Sequence, residues 1–186
     1  MTDARFWQII AESLERSQNT YGKDAIGQVA AELPSFVNFL NDQELLAFCQ
    51  RYEEKSDFAY DGVIWAVLTL VSIFVNKVGV SDDTFMDIRD NLVAQGEEIY
   101  DRLVKDPDSL LEYQEPLNYC ELYIESSCWG VLEERKLSRP ERSPLKLRRP
   151  FPDWGDIGFF RAYLPKIYKF VSERDPEFWF KHTDSA

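Results

Sequence analysis

The chain has 186 residues, 45% hydrophobic and 15% aromatic, and its 21 basic against 33 acidic side chains leave a net charge of −12. That length suits one domain with a real buried core, and the aromatic content excludes an intrinsically disordered chain. The negative balance disfavours nucleic acid, a polyanion, as the main partner.

Helical periodicity dominates from the start. Thr2 or Asp3 caps a first helix whose Phe6, Ile9, Ile10 and Leu14 fall on one apolar face. Ser17 to Gly22 reads as a turn. A second helix from Lys23 turns Ile26, Val29, Ala30 and Leu33 inward until Pro34 kinks or restarts it, with Phe36, Phe39 and Leu40 carrying the stripe onward. Asn41 or Asp42 caps a third helix bearing Leu45, Leu46, Phe48, Cys49 and Tyr52.

The segment from Tyr60 to Lys77 is apolar nearly all round, as expected of the central helix of a bundle. Its greasiest stretch, Val63 to Val75, spans roughly 20 Å at about 1.5 Å per residue, short of the ~30 Å hydrocarbon core of a membrane. Asp61 and Lys77 close it off, and Gly79 is placed to end the helix in a left-handed conformation.

Ser81-Asp82-Asp83-Thr84 opens the next helix, with Phe85, Ile88, Leu92 and Val93 inward, and Gly96 interrupts it. Ile99, Tyr100 and Leu103 continue to Asp106-Pro107-Asp108-Ser109, another start signal. A long segment from Pro116 to about Leu137 follows. Ser138 to Trp154 holds Pro140, Pro144, Pro150 and Pro152 and reads as an extended strap. Phe159 to Arg174 is helical again, broken early by Pro165, and the cluster Phe178, Trp179 and Phe180 precedes a short polar end. No repeat and no alternating strand pattern interrupts this order.

The expected architecture is all-α: a compact multi-helix bundle of about six to eight helices. Residues 1–137 form an acidic helical domain, and residues 138–186 form a basic Pro-rich strap and C-terminal helices packed on that same domain.

Three cysteines, Cys49, Cys120 and Cys128, stand at unrelated spacings with no C-x-x-C. They point to buried thiols in a reducing, cytoplasmic compartment rather than to zinc or dithiol chemistry. The opening Met1-Thr2-Asp3-Ala4-Arg5-Phe6-Trp7 lacks the basic start and apolar core of a signal peptide. Neither a membrane span nor a cofactor is expected.

Charge is split along the chain. Residues 1–134 carry 9 basic and 26 acidic side chains, a net −17, whereas residues 135–186 carry 12 and 7, a net +5. Seven of the basic groups fall in one run: Arg135, Lys136, Arg139, Arg142, Lys146, Arg148 and Arg149. Two readings stand open: a strap lying across the acidic body, or a docking site for an acidic partner or RNA. The second reading places Arg142, Arg148, Arg149 and the loop aromatic Trp154 at the partner.

The densest polar constellation is Asp82, Asp83, Asp87, Arg89 and Asp90. Asp83, Asp87 and Asp90 share one helical face, a spacing that suits a hard cation such as Mg²⁺ or Ca²⁺, or acid–base work. Acids in a first turn equally well serve the positive end of the helix dipole, each contributing about 0.3–1 kcal/mol. A ligand site would use Asp82, Asp83, Asp87 and Arg89. His182 is the only histidine, and no phosphate-cradling glycine motif occurs, so no nucleophile–base pair or multi-histidine metal site is indicated.

Several segments together resemble the DUF4240-type family of uncharacterised bacterial helical domains. They are Phe6-Trp7, Glu44-Leu45-Leu46-Ala47-Phe48, Ile64-Trp65-Ala66, Ser81-Asp82-Asp83-Thr84-Phe85, Ile88-Arg89, Leu92-Val93-Ala94-Gln95-Gly96 and Asp106-Pro107-Asp108-Ser109-Leu110. Order and spacing agree over roughly residues 4–125. The chain departs from the family pattern at Asn91, where an aromatic is usual, and at Lys77-Val78, where a glycine pair is. The resemblance implies a compact helical domain and no particular activity.

Three functions remain open on the residues. The first is a non-enzymatic cytoplasmic interaction protein whose acidic face binds a basic protein partner, including in an inhibitory or immunity-like role. The second is a divalent-metal or small-ligand-binding domain, hydrolases included, at the Ser81-Asp82-Asp83 helix start. The third is RNA contact through Arg135–Arg149.

Overall fold

The computed structural model describes residues 1–22, 25–113, 124–139, 141 and 144–183, without the side chains of 25–27, 124, 125, 182 and 183. Cys120 and Arg142 lie outside the described residues, as does the side chain of His182. The fold is all-α, a compact bundle, with no strand among the described residues.

Among the described residues, ten α-helices and one 3-10 helix follow in order. Helices α1 (Asp3–Tyr21), α2 (Ala25–Val37) and α3 (Asp42–Phe58) lead to the central α4 (Gly62–Asn76), then α5 (Asp82–Ala94) and α6 (Glu97–Lys105). The 3-10 helix Pro107–Glu112, α7 (Ile124–Glu134), α8 (Ile157–Tyr163), α9 (Pro165–Arg174) and α10 (Phe178–Thr183) complete the chain. The number exceeds six to eight because the C-terminal segment is cut into short pieces: Pro165 starts α9 where α8 stops, and Phe178 opens a helix of its own.

Local chemistry sets the helix starts. Thr2 Oγ1 accepts the Arg5 amide, and Asn41 and Glu44 form a reciprocal capping box at α3. Helix α2 runs through Pro34 to Val37. The interior proline costs about 3 kcal/mol, but Val29, Leu33 and Val37 are fully buried on one face, on both sides of it. Gly79 does not end α4. Lys77 takes the left-handed conformation itself (φ 63°), with its ammonium donating to the Phe74 carbonyl. A left-handed turn at a residue that carries a side chain is a strained way to end a helix, a place where glycine is usual.

The core is continuous. Phe6, Trp7, Phe48, Val67, Phe85, Leu103, Phe160 and Trp179 all belong to it, and α9 packs on α4 through Phe74 and Phe170. Cys49 and Cys128 are buried free thiols. No single helix among the described residues is long and apolar enough to cross a membrane. Phe39 departs from the expected stripe. It is 90% exposed, because α2 ends at Val37 and Arg135 takes the flanking carbonyls of Asn38 and Leu40, each at 2.7 Å.

Gly130, exposed in the middle of α7, has open space around its Cα. Gly130→Ala is therefore expected to stabilise the protein by about 0.5–1 kcal/mol, raising Tm by about 1–4 °C in a thermal melt.

Candidate functional site

The four residues singled out on α5 differ in exposure. Ser81 caps the helix, its hydroxyl accepting the Thr84 amide, and Asp82 and Asp83 fill the exposed first turn. Asp87 also lies at the surface. Arg89 lies on the buried side, 3% exposed along its side chain, where it donates to the Ser56 carbonyl (3.3 Å), sits 3.8 Å from Asp57 and covers the Tyr60 ring at 5.0 Å. A 200° turn between positions 87 and 89 enforces this separation. Among the described residues no group of three His, Cys, Asp or Glu side chains is placed to hold a metal ion. Asp82→Asn and Asp83→Asn are each expected to cost about 0.3–1 kcal/mol at low salt by weakening the dipole interaction. Mg²⁺, Ca²⁺ or Mn²⁺ should leave Tm unmoved in both the parent and the variants.

A cavity of about 220 Å³ opens between α3 and α6, lined by Arg51, Glu54, Lys55, Phe58, Tyr100 and Asp101. Its charges neutralise one another. Arg51 pairs with Glu54 (2.7 Å) and Asp3 (3.2 Å), Lys55 with Asp3 (2.9 Å), and Asp101 with Lys105 (2.9 Å). The hydrogen bond from Lys55 holds the Asp3 carboxyl below its ordinary value. The folded state therefore gains from this pair at neutral pH and loses the gain as the pH falls through the lowered value. Burial pushes the Tyr100 hydroxyl well above the phenol range, and it donates to the Lys55 carbonyl at 2.7 Å.

The most elaborate polar arrangement lies at the start of α4, where the strap docks. Asp61 is 0% exposed. Its Oδ1 accepts the Val63 and Ile64 amides at 2.9 and 3.2 Å and so caps the helix. Its Oδ2 receives Arg149 Nε at 2.6 Å and Arg148 Nη2 at 2.8 Å. Main chain meets main chain on either side: Gly62 N donates to the Arg149 carbonyl and Arg148 N to the Tyr60 carbonyl, both at 2.9 Å.

Gly62 is there because nothing larger fits. A Cβ at this position would run into the Phe151 nitrogen and the Pro150 carbonyl carbon and lie 2.7 Å from the Arg149 carbonyl oxygen. Arg148 also covers the Phe58 ring at 4.4 Å, and Phe151 sets its edge against Trp65 at 5.7 Å. Trp65 in turn stacks on Phe85 (5.1 Å, planes 10° apart) and donates to the Val80 carbonyl.

Arg148 and Arg149, which one of the two sequence readings places at a partner, are engaged on Asp61 within the chain. Trp154 is not an exposed aromatic either. It is half-buried, stacked on Phe160 at 5.8 Å and edge-on to Phe151 at 4.9 Å, because the strap brings it onto an existing aromatic cluster. Asp61 was legible as the acid bounding an apolar run, but its charge partners are 87 and 88 residues away and leave no local signal.

The DUF4240 family model, described as a protein of unknown function, matches residues 1–131. The chain belongs to the DUF4240 family. No curated protein and no solved structure matches it. The DUF4240 match contains Asp61, Gly62 and Trp65, the receiving side of the cleft, and stops before Arg148 and Arg149. The strap and the last three helices lie beyond the matched stretch.

Proposed function

We propose that the protein is a cytoplasmic, non-enzymatic interaction module whose acidic surface binds a basic protein partner. One observation carries this reading: the basic segment spends its charge inside the molecule. Every arginine described from residue 135 onward has an internal acceptor. Arg135 goes to Asp42 and two carbonyls, Arg139 to Glu133, Arg148 and Arg149 to Asp61, Arg161 to the Tyr168 hydroxyl and Arg174 to the Phe170 carbonyl. Asp82, Asp83, Glu97 and Glu98 remain exposed, with no cation at ion-pair distance among the described residues. An uncompensated negative surface of this kind steers a cationic protein and rewards it on contact. Phe39, held outward on its pinned corner beside the exposed Asp42, supplies an aromatic of the type that anchors interfaces.

The test is direct. A basic protein captured at low salt is purified and titrated against the chain by calorimetry. Affinity is expected to fall steeply with salt, and to fall at least tenfold for Asp82→Asn/Asp83→Asn/Glu97→Gln/Glu98→Gln and for Phe39→Ala. Phe39→Ala should leave the stability within about 0.5 kcal/mol of the parent, as exposed side chains do. Salt-independent binding that ignores all five positions overturns the reading.

A further inference from the structure

We propose that the cleft formed by Asp61, Gly62, Trp65 and Phe58 is a recognition site for an Arg-Arg-Pro-aromatic peptide segment, occupied in this chain by its own strap and open to a segment of the same chemistry on a basic partner protein. The inference rests on the preceding reading and gives it a place on the surface. Four separate features of the cleft each read one part of the occupant. The Asp61 carboxylate reads two successive guanidinium groups. The Gly62 amide and Tyr60 carbonyl read an extended backbone through two main-chain hydrogen bonds, the mode by which a peptide is added to an exposed backbone edge. The absent Cβ at Gly62 admits that backbone at close range. The Trp65 ring reads the aromatic after the proline, edge to face.

The occupant itself lies shallow. Arg148, Pro150 and Phe151 are exposed as residues although their contacts are specific, whereas Arg149 is half-buried and its buried Nη2 finds no protein acceptor. An exposed ligand on a fully buried carboxylate is the arrangement of a bound peptide rather than of a core element. The body that forms the cleft is the stretch shared with the family, whereas the strap is outside it.

The charge of the body selects a partner protein over a second copy of this chain. A tethered strap already sits at an effective concentration of order mM, so an identical strap from another copy offers no advantage. A cationic partner adds contacts to the acidic surface elsewhere and so outcompetes the strap.

The probe is a fluorescein-labelled peptide with the sequence of residues 145–154, Leu-Lys-Leu-Arg-Arg-Pro-Phe-Pro-Asp-Trp, titrated against full-length chains by anisotropy. Arg148→Ala/Arg149→Ala should vacate the cleft and bind the peptide at least tenfold more tightly than the parent chain. Adding Asp61→Asn should return it to the parent level, and a peptide with both arginines replaced by glutamine should not bind. Failure of a folded, vacated chain to bind, or binding indifferent to Asp61, overturns the proposal.

Should the double variant not fold, hydrogen exchange on the parent chain decides. The Gly62 amide should exchange through a local opening, faster than the Val67 amide. Exchange at the same rate as Val67 means the cleft opens only on global unfolding, and the proposal falls. A concentration-dependent dimer abolished by Asp61→Asn assigns the cleft to strap swapping and overturns the partner assignment. If the peptide fails while Phe39→Ala and the acidic-surface variant still weaken partner binding, this inference alone is lost and the broader reading stands.

Discussion

Asp61→Ala is expected to destabilise the protein by about 3 kcal/mol. Loss of a helix cap accounts for about 0.5–2 kcal/mol. The remainder comes from breaking a buried charge arrangement, for which truncating one partner costs about 3–5 kcal/mol when both charges are fully enclosed. The cost here falls below that range because the Arg148 and Arg149 side chains keep 28% and 38% exposure and regain water when released. At about 2–4 °C per kcal/mol for a chain of this size, Tm should drop by roughly 6–12 °C. Asp61→Asn keeps an acceptor for the Val63 and Ile64 amides and should lose about half as much. A double-mutant cycle with Arg148→Ala/Arg149→Ala separates the two contributions. Additivity within about 0.3–0.5 kcal/mol means that the ion pairs add nothing and the cap alone matters.

The second large effect belongs to Asp108, in the 3-10 helix. Its two carboxylate oxygens accept the Lys166 and Ile167 amides at 2.8 and 2.7 Å, capping α9 from a distant part of the chain. The residue that precedes α9, Leu164, offers no side-chain acceptor. Asp108→Ala leaves these donors without partners, each costing about 1–3 kcal/mol when water is excluded. Ile167 is fully buried and Lys166 is exposed, so one full penalty and one partial penalty apply. The expected loss is about 2–3 kcal/mol by urea denaturation. Amide exchange should accelerate at Ile167 and Tyr168, while protection in α1 and α3 stays as it was. Uniform acceleration across the chain would show instead that Asp108 supports the whole core.

Both residues show what sequence reveals and what it withholds. Periodicity of 3.6 residues reports which face of a helix is apolar, so Phe6, Leu45, Val67 and Phe85 were readable as core. Capping is also local, so Asn41 and Ser81 stood out. Charge partners separated by tens of residues obey no period. Asp108 looked like the start of its own helix because Pro107 and Ser109 flank it, yet its oxygens serve α9. Asp61 looked like a boundary, yet it receives the strap. Sequence spacing groups Arg89 with the α5 aspartates, and it gives no sign that the guanidinium reaches the Ser56 carbonyl and the Tyr60 ring. Phe39 was misplaced because the apolar pattern runs past the true end of α2, and only Arg135, nearly a hundred residues on, fixes that end.

The long loop closed at Asp61 has a consequence during translation. Arg149 follows Asp61 by 88 residues, so at about 5–20 residues per second a ribosome needs roughly 4–18 s to deliver it. For that interval every nascent chain presents a wet carboxylate beside a bare glycine and an uncovered indole.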